Sequence, residues 1–433
     1  MHRTTLTGVT LSLALLMPAG SPARAHSPAA DIVFEWNQIL QDTVPVPHNV
    51  LTPRFFAMTH IAMFDAINTF ERDFEPYRVR LRRWRGGSPV AAAAQAAHDV
   101  LVAINPAATA TYDAALARQL WSDPSGFVRH GAEVGAAVAK EILAWRQNDG
   151  WVVSPFPPYS EPLLPGRWQP TPPNNPNPTF THLQGAAPLA LLTATQYLPP
   201  PPPSITSERY AADLNEVKQL GKSDSTFRTP EQTAIARLWN GNAASGTGTA
   251  TNYASIWNSI VRDAARARGL SLVETARVFA LVNVSVHDAL QTTQVSKFVY
   301  GLWRPVTAIR QAGDDLNPAT DADPGWLSLL TTPPYPSYAG NMSTIGASAA
   351  RALQLAFGTN DMPVTATWRQ SGGQPDVSHD FPGFWEVAEE QTESRIYGGI
   401  HYRFDHVAGH AIGRGVAEFV AANFMAPRGR WGD

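Results

Sequence analysis

The sequence predicts an all-α protein of two packed helical bundles joined by a proline-rich segment. Apolar residues recur with helical spacing through most of the chain, no segment shows the alternation of a convincing strand, and the prolines concentrate in one central stretch. At 433 residues the chain can bury a large core. Because charged residues make up only 16% and hydrophobic residues 44%, the composition is that of a globular protein.

Helical periodicity predicts eleven helices. Several have capping signals at their starts: Ser271 with Glu274 and Thr229 with Gln232 fit capping boxes, and Pro230 occupies a favourable first helical position. The predicted ranges are 49–69, 89–104, 107–121, 126–148, 206–220, 230–240, 252–268, 272–294, 341–357, 384–397 and 402–424.

The N-terminus has the pattern of a secretory signal peptide. His2 and Arg3 precede an apolar run from Leu6 to Met17, and Ala23-Arg24-Ala25 places small residues where signal peptidase reads them. That run is too short to span a bilayer, and no later stretch reaches about 18 uninterrupted apolar residues. We expect cleavage after Ala25 and a secreted or periplasmic protein without a transmembrane anchor.

Composition excludes several partners and cofactors. Cleavage after residue 25 removes two of the 33 Lys and Arg and none of the 36 Asp and Glu, which leaves 31 against 36, a formal net charge of −5. Nucleic acid is therefore not an expected partner. The chain has no cysteine, which excludes disulfides, thiolate nucleophiles and Cys-ligated metal sites. The oligomeric state is not predicted.

A proline-rich segment divides the chain. Between Pro155 and Pro203 lie 16 of the 37 prolines, which prevents regular helix there. The segment also carries Trp168 and the apolar run Leu189–Leu192, so we expect it to pack across the surface, the alternative being a flexible linker. The predicted organisation is a signal peptide (1–25), an N-terminal bundle (26–150), a packed connector (151–205) and a C-terminal bundle (206–433).

The two halves share a short sequence pattern. Residues 59–67 (THIAMFDAI) match residues 282–290 (VNVSVHDAL) in apolar positions and in an Asp-Ala pair. The match fits either a duplicated helical bundle or two amphipathic helices that agree by chance. His60 and His287 lie in these windows without a ligand partner at metal-binding spacing, so we interpret both as packing or hydrogen-bonding residues.

Lys297 and Arg304 stand seven residues apart in the apolar and aromatic stretch KFVYGLWRP (297–305). Lys supplies a compact charge and Arg a planar fork of donors, a combination suited to phosphate or vanadate oxygens. Alternatively, both are surface cations.

A second polar segment contains Arg395, His401 and Asp405. A helix through His401 and Asp405 puts them on one face at i and i+4, where the carboxylate can fix the imidazole tautomer. The other ring nitrogen is then free to act as nucleophile or ligand. Arg395 can join the same pocket if the chain turns at Gly398-Gly399; the alternative is a solvated His-Asp pair.

A zinc site in this region is disfavoured. His406 and His410 share a helix face, but His401 and Asp405 lie about 100° round from it, so four ligands would not converge from one helix. The chain also lacks a His-Glu-x-x-His motif.

In order, these segments resemble the signature of the vanadium-dependent haloperoxidase and type 2 phosphatidic acid phosphatase superfamily: Lys-x6-Arg-Pro, a Pro-Ser-Gly-His type loop, and Ser-Arg-x5-His-x3-Asp. Three outer segments resemble the bacterial secreted haloperoxidase branch. They are PGRWQPTPP (165–173), NEVK (215–218) and RTPEQT (228–233). The resemblance covers essentially the whole mature chain.

The resemblance implies two four-helix bundles around an oxyanion, with vanadate as cofactor and phosphate as a competitor. It assigns Lys297, Arg304 and Arg395 to charge neutralisation, His401 to the vanadium ligand, and Asp405 to the partner of that histidine. In the phosphatase relatives the same histidine is the nucleophile.

The middle motif departs from the family pattern. The family reads like PPFPxYPSGHST, and residues 333–344 read PPYPSYAGNMST. The gapless pairing puts Gly340 at the hydroxyl donor, Asn341 at the backbone-donating glycine and Met342 at the acid-base histidine. A thioether cannot shuttle a proton. A shifted pairing that keeps Ser337 as the serine needs an insertion and is disfavoured.

The expected function is an exported haloperoxidase-like enzyme that uses hydrogen peroxide, a halide and a small organic substrate, with activity impaired by Met342. The alternatives are an altered or non-catalytic phosphate- or vanadate-binding protein and an acid phosphatase. Loss of a general acid typically lowers a rate by about 10²- to 10⁴-fold, and this affects the phosphatase alternative most.

Overall fold

The structure is a computed structural model that describes residues 27–43, 50–81, 86–240, 253–370 and 375–428. The predicted signal peptide lies outside the described residues. The helices are α1 (Asp31–Thr43), α2 (Thr52–Glu71), α3 (Pro89–Ile104), α4 (Thr109–Ser122), α5 (Val128–Arg146), α6 (Glu208–Leu220), α7 (Pro230–Leu238), α8 (Tyr253–Ala267), α9 (Leu272–Tyr300), α10 (Pro305–Arg310), α11 (Asn341–Phe357), α12 (Phe384–Tyr397) and α13 (Arg403–Asn423).

The predicted fold class is confirmed, since the described residues are mostly helical. Each of the eleven predicted helices is present, and both predicted capping boxes form, at Ser271 with Glu274 and at Thr229 with Gln232. Helices α1 and α10 were not predicted; α10 has only six residues, too few to show a periodicity. No helix among the described residues has the length and apolarity needed to cross a membrane.

The expected absence of strands is wrong. An antiparallel pair, β1 (Val364–Trp368) and β2 (Val377–Phe381), joins Val364 to Phe381 and Trp368 to Val377. Each strand has only five residues, and β2 is polar at alternate positions without a buried apolar face, so its sequence gives little strand signal. Trp368 anchors the pair by packing edge-on against Trp239, with ring centroids 5.0 Å apart.

Helix α9 is the central element of the core. It runs for 29 residues and is buried on all sides from Leu272 to Phe298, except at a few half-buried positions, which explains why its sequence has no clear polar face. Helices α2, α3 and α5 pack together on one side of the molecule, and α11, α12 and α13 pack together on the other. Helix α9 contacts both groups, through α2 and through α11 and α13.

The two groups of helices carry equivalent aspartates. Asp65 in α2 accepts the backbone N–H groups of residues 77–79, and Asp288 in α9 accepts those of residues 189–191, at 2.7–2.9 Å in each case. Both carboxylates are buried and each holds a bent, non-helical segment against its helix. These are the aspartates of the shared Asp-Ala pair, so the sequence match corresponds to a structural one.

Tryptophans extend the equivalence to two further helices. The indole of Trp36 in α1 donates to Gln119 at 2.7 Å, and the indole of Trp257 in α8 donates to Gln391 at 2.8 Å. Each tryptophan is followed by a buried asparagine, and the side chains of Asn37 and Asn258 hydrogen-bond each other.

Glycines complete the correspondence. A Cβ at Gly131 in α5 would lie within 3 Å of the Ser88 carbonyl at the start of α3, and a Cβ at Gly409 in α13 would lie within 3 Å of the Gly340 carbonyl at the start of α11. The same close approach of helices therefore occurs at the same place in both groups. We interpret the fold as a duplicated helical bundle.

His60 provides a pH-dependent element in the interface between the groups. Its Nε2 accepts from the Asn37 amide at 2.9 Å and its ring stacks on Phe279 at 4.7 Å. Burial lowers its pKa from 6.5 to about 3, so the folded protein holds it neutral. Its counterpart in the shared pattern is Asn283, which cannot ionise in this range.

We predict that His60→Asn removes part of the acid sensitivity of the fold. The unfolded chain takes up a proton below pH 6.5 and the folded chain does not, so the stabilisation is complete above pH 6.5 and falls as pH drops toward 3. Urea unfolding at pH 7.5 and 4.5 should show that wild type loses about 2–3 kcal/mol more than the variant over this interval. Equal losses in the two proteins would mean that His60 is not held neutral.

Residues of the proline-rich segment pack against the helices. Trp168 is buried and its backbone N–H donates to the Gly301 carbonyl at 2.7 Å. The backbone N–H of Trp303 donates to the Gly166 carbonyl at 3.1 Å. Leu189 is also buried, beside Asp288. The segment thus holds the chain on both sides of Leu302, between the two cations Lys297 and Arg304.

Candidate functional site

Five of the predicted site residues come together at the ends of helices. Lys297 lies in the last turn of α9, Arg304 caps α10, Arg395 lies in the last turn of α12, and His401 and Asp405 lie just before and in the first turn of α13. All five side chains are buried.

Lys297 is held against the backbone of the middle motif. Its Nζ donates to the Ser337 carbonyl at 2.7 Å and also to the Ala339 carbonyl. Burial and the nearby charge of Arg304 lower the pKa of Lys297 well below its usual range, while Asp405 acts in the opposite sense. The charged form of Lys297 is therefore costly in these surroundings, and a bound anion would stabilise it.

Arg304 joins the first and third motifs. Its Nε donates to the Tyr335 carbonyl at 2.7 Å, and its Nη1 donates to the Ile400 carbonyl at 2.9 Å and to Nε2 of His401 at 3.0 Å. Its Nη2 is buried and has no hydrogen-bond partner among the described residues. A fully buried guanidinium with a free donor is a binding group for an anion.

His401 and Asp405 make the predicted contact. Nδ1 of His401 lies 2.7 Å from Oδ2 of Asp405, which also accepts from the Ser337 hydroxyl at 2.6 Å. Because Arg304 can only donate, Nε2 of His401 is the unprotonated nitrogen. Burial, then Arg304 and Lys297, lower the pKa of His401 well below its usual range, so the ring is neutral. Nε2 is the atom at which a metal or phosphoryl group would attach, in place of its contact with Arg304.

The pKa of Asp405 is higher than that of an ordinary aspartate. Burial raises its pKa from 3.8 to about 6, against the opposing effects of the Ser337 hydrogen bond and the charge of Lys297. Its Oδ1 has no partner among the described residues.

Arg395 is the least engaged of the cations. Its Nε donates to the Ser394 hydroxyl at 3.1 Å, and one terminal N–H makes a long contact of 3.4 Å with the Ala236 carbonyl. Burial lowers its pKa to about 10, with the charge of Arg304 acting in the same direction. Within the described part of the chain, no ion pair involves Lys297, Arg304 or Arg395.

The residues present fit a tetrahedral oxyanion. Three buried cations face a single carboxylate, and Nη2 of Arg304 has no partner in the described chain. Buried charge without a counter-charge is costly, so the cluster favours a multiply charged anion over an empty site. His401 places its unprotonated Nε2 beside Arg304, at 3.0 Å from Nη1.

The middle motif forms the wall of the site where α11 begins. Gly340 caps α11, its N–H donates to the Asp405 carbonyl at 3.0 Å, and its carbonyl accepts from Thr344. The amide of Gly340 is therefore engaged with the protein. Met342 is buried and its sulfur accepts from Gln391 at 3.6 Å. Because a thioether has no exchangeable proton, Met342 cannot donate one to the site.

Three residues at the site were not predicted from the sequence. Ser337 orients Asp405, Tyr335 lies beneath Lys297 and Arg304, and His406 has its ring 6.2 Å from that of His401. Both ring nitrogens of His406 are buried without a partner among the described residues. The gapless pairing of the middle motif contained a signal for Tyr335, because tyrosine stands there in place of phenylalanine.

The disfavoured zinc site is not formed by the described residues, in which no three metal-ligating side chains converge. His410 instead pairs with the Thr392 hydroxyl at 3.0 Å.

The fold and site define a mostly helical protein with a buried cluster of cations suited to an oxyanion. Residues 277–428, which span the site, match the profile of the family described as the VCPO second helical-bundle domain. The chain is 28% identical over 320 residues to the vanadium chloroperoxidase of Curvularia inaequalis, covering 58% of this chain and 51% of that protein. The chain thus spans about half the length of the curated relative that it matches.

Solved structures share the fold. A bacterial vanadium-dependent iodoperoxidase superposes with a TM-score of 0.78 at 22% identity, over 92% of this chain and 98% of that one. The apo form of a bacterial vanadium-dependent chloroperoxidase gives 0.68 at 16% identity, over 89% and 96%. At these identities the solved structures show that the chain shares the fold of bacterial vanadium haloperoxidases, and the family match shows that residues 277–428 resemble the second helical bundle of that group.

Proposed function

We propose that this protein is an exported vanadate-dependent enzyme that oxidises a halide with hydrogen peroxide. The observation that carries the proposal is the buried cluster of Lys297, Arg304 and Arg395 beside the unprotonated Nε2 of His401. The matched relatives are haloperoxidases, which supports this activity over the others of the superfamily.

Each residue has a defined task in this proposal. Lys297, Arg304 and Arg395 would hold vanadate oxygens, and Nε2 of His401 would bind the metal. When bound, vanadate activates hydrogen peroxide so that a halide can be oxidised. Asp405 retains the Nδ1 proton of His401 and so keeps Nε2 available, and Ser337 fixes the orientation of Asp405. Because these side chains are buried, bulk water does not compete for the cations.

A pure oxyanion-binding role is the second candidate, and Met342 is the observation that favours it. The position assigned to the acid-base group holds a thioether that contacts only an amide, at Gln391, among the described hydrogen bonds. An acid phosphatase is the weaker alternative, since it needs a donor for the leaving alcohol. In both alternatives phosphate would occupy the same cations.

Bromide-dependent halogenation of monochlorodimedone by hydrogen peroxide tests the proposal. The protein is first freed of bound metal and phosphate, then assayed with and without orthovanadate. We expect turnover that requires vanadate and is suppressed by phosphate. Hydrolysis of a phosphomonoester without halogenation would favour the phosphatase, and vanadate binding without either activity would favour the binding protein.

We predict that Met342→His raises bromide oxidation by about tenfold or more, because it returns a proton-transferring group to the site. Tenfold corresponds to about 1.4 kcal/mol of transition-state stabilisation. Adding Gly340→Ser, which returns a hydroxyl donor and leaves Asn341 in place, should raise the rate further. A Cβ at Gly340 would lie 2.7 Å from the Ser343 hydroxyl, so Ser343 must rotate in that variant.

Met342→Leu is the matched control, since it keeps the volume and adds no proton donor. Its rate should stay near that of wild type. If the histidine variants fold and bind vanadate but show no gain over Met342→Leu, the altered motif serves another activity.

A further inference from the structure

The middle motif has gained polar groups as well as lost them. Relative to the family pattern, Gly340 and Met342 lack a hydroxyl and an imidazole, whereas Tyr335 and Asn341 add a hydroxyl and an amide. The two added groups contact each other, since Nδ2 of Asn341 donates to the Tyr335 hydroxyl oxygen at 3.3 Å. Asn341 is itself fixed by Gln294, whose amide donates to Oδ1 at 3.0 Å. The gained groups therefore form one ordered unit.

This unit lies inside the cation cluster. The Tyr335 ring has Nζ of Lys297 5.4 Å and the guanidinium carbon of Arg304 5.0 Å from its centroid. Burial raises the pKa of the Tyr335 hydroxyl, while the charges of Arg304 and then Arg395 lower it. The hydroxyl is thus close enough to both guanidinium groups for their charges to lower its pKa. Because burial has the larger effect, the hydroxyl remains protonated near neutral pH.

The Tyr335 hydroxyl accepts a hydrogen bond, but its own proton has no acceptor among the hydrogen bonds of the described residues. Among the hydrogen bonds of the described residues, the Tyr335 oxygen takes part only as an acceptor. The Asn341 amide contacts this oxygen and the Arg304 and Arg395 guanidinium groups act on it through their charge, and all three groups are hydrogen-bond donors. A hydroxyl proton in such surroundings can be satisfied by an anion that accepts from all of these groups at once.

We infer that the Tyr335 hydroxyl donates a hydrogen bond to the bound oxyanion and replaces the donors lost at positions 340 and 342. In this arrangement Asn341 orients the hydroxyl, and Tyr335 contacts an anion oxygen between Arg304 and Arg395. The inference rests on the proposed oxyanion site and assigns it a binding residue. It concerns the affinity of the site, since a phenol with a raised pKa donates a hydrogen bond without shuttling protons at neutral pH.

Tyr335→Phe tests the inference, because it removes the hydroxyl and keeps the ring beneath the cations. Tyr338→Phe is the matched control: its hydroxyl donates to the Pro200 carbonyl at 2.7 Å, outside the cation cluster. Calorimetric titration with orthovanadate, and separately with inorganic phosphate, should show Kd raised about tenfold or more in Tyr335→Phe and by less than about twofold in Tyr338→Phe.

A spectroscopic readout separates direct contact from a structural effect. Anion binding should perturb the near-ultraviolet tyrosine absorption of wild type and of Tyr338→Phe, and this difference signal should be lost in Tyr335→Phe. Measurement on wild type alone already bears on the inference if the variant is unstable, because an absent tyrosine signal on saturation with vanadate would overturn it.

The outcomes distinguish the inference from the function on which it rests. If wild type binds neither anion, the oxyanion site itself is refuted. If wild type binds with a tyrosine signal but Tyr335→Phe binds as tightly as Tyr338→Phe, the site stands and the role of Tyr335 is refuted.

Discussion

Replacing Arg395 or His401 with alanine is expected to weaken orthovanadate binding by about 100-fold or more while the fold remains intact. Arg395 is the buried cation with the fewest protein contacts, so its charge is available to an anion and its removal leaves few groups unpaired. In the proposed site Nε2 of His401 would be the ligand nitrogen, so the alanine variant would remove the attachment point for the metal. Equilibrium titration with orthovanadate measures both effects.

Two substitutions away from the site provide controls. Arg351→Ala removes an arginine of α11 that pairs with Glu418, and His379→Ala removes a histidine that pairs with Glu390. Both should bind vanadate as wild type does. Unchanged affinity in Arg395→Ala and His401→Ala, with circular dichroism like that of wild type, would show that the anion binds elsewhere.

Asp288→Ala is expected to lower the free energy of unfolding by about 3–5 kcal/mol. This fully buried carboxylate accepts the N–H groups of residues 189–191, and the imidazole of His287 lies 2.7 Å from it. The variant would leave these donors buried without partners, and each such group costs about 1–3 kcal/mol. Urea unfolding at pH 7.5 measures the loss.

The equivalence of the two helical groups supplies a second arm of this experiment. Asp65→Ala removes the same arrangement in α2 and should cost a similar amount. Asp263→Ala, at a half-exposed position in α8, should change stability by less than about 0.5 kcal/mol. A small effect at Asp288 would contradict its role in fixing the proline-rich segment to the core.

The candidate cation site occurs in only the second of the two copies of the helical bundle. Lys297 follows Asp288 by nine residues, and the residue nine positions after Asp65 is Phe74. His401 precedes Gly409 by eight residues, and the residue eight positions before Gly131 is Asp123. The first copy thus lacks a cation and a ligand histidine at these spacings, whereas the apolar residues and glycines that pack the helices are retained in both.

Much of the fold could be predicted because helix formation leaves a local signal. The period of apolar residues and the capping boxes are visible within about fifteen residues, and the helices they indicate are present. Helix α10 and the pair of β1 with β2 were missed for the same reason, since elements of five or six residues are too short for a periodic pattern.

The site could be predicted in part. Lys297 lies at the end of α9 and Asp405 at the start of α13, so the spacing of Lys297 with Arg304 and of His401 with Asp405 places these four residues at helix ends that lie close together. Ser337 and His406 could not be found in this way. Their positions depend on how the loop before α11 packs against α13, a contact between segments more than 60 residues apart that leaves no local pattern.

Calorimetric titration of the wild-type protein with orthovanadate, after removal of bound phosphate, shows whether the buried cations form an oxyanion site. The buried cations and the neutral His401 predict one site per chain, with phosphate competing for it and with affinity lost in Arg395→Ala. Absence of saturable binding, or binding that survives Arg395→Ala and does not compete with phosphate, would contradict the account.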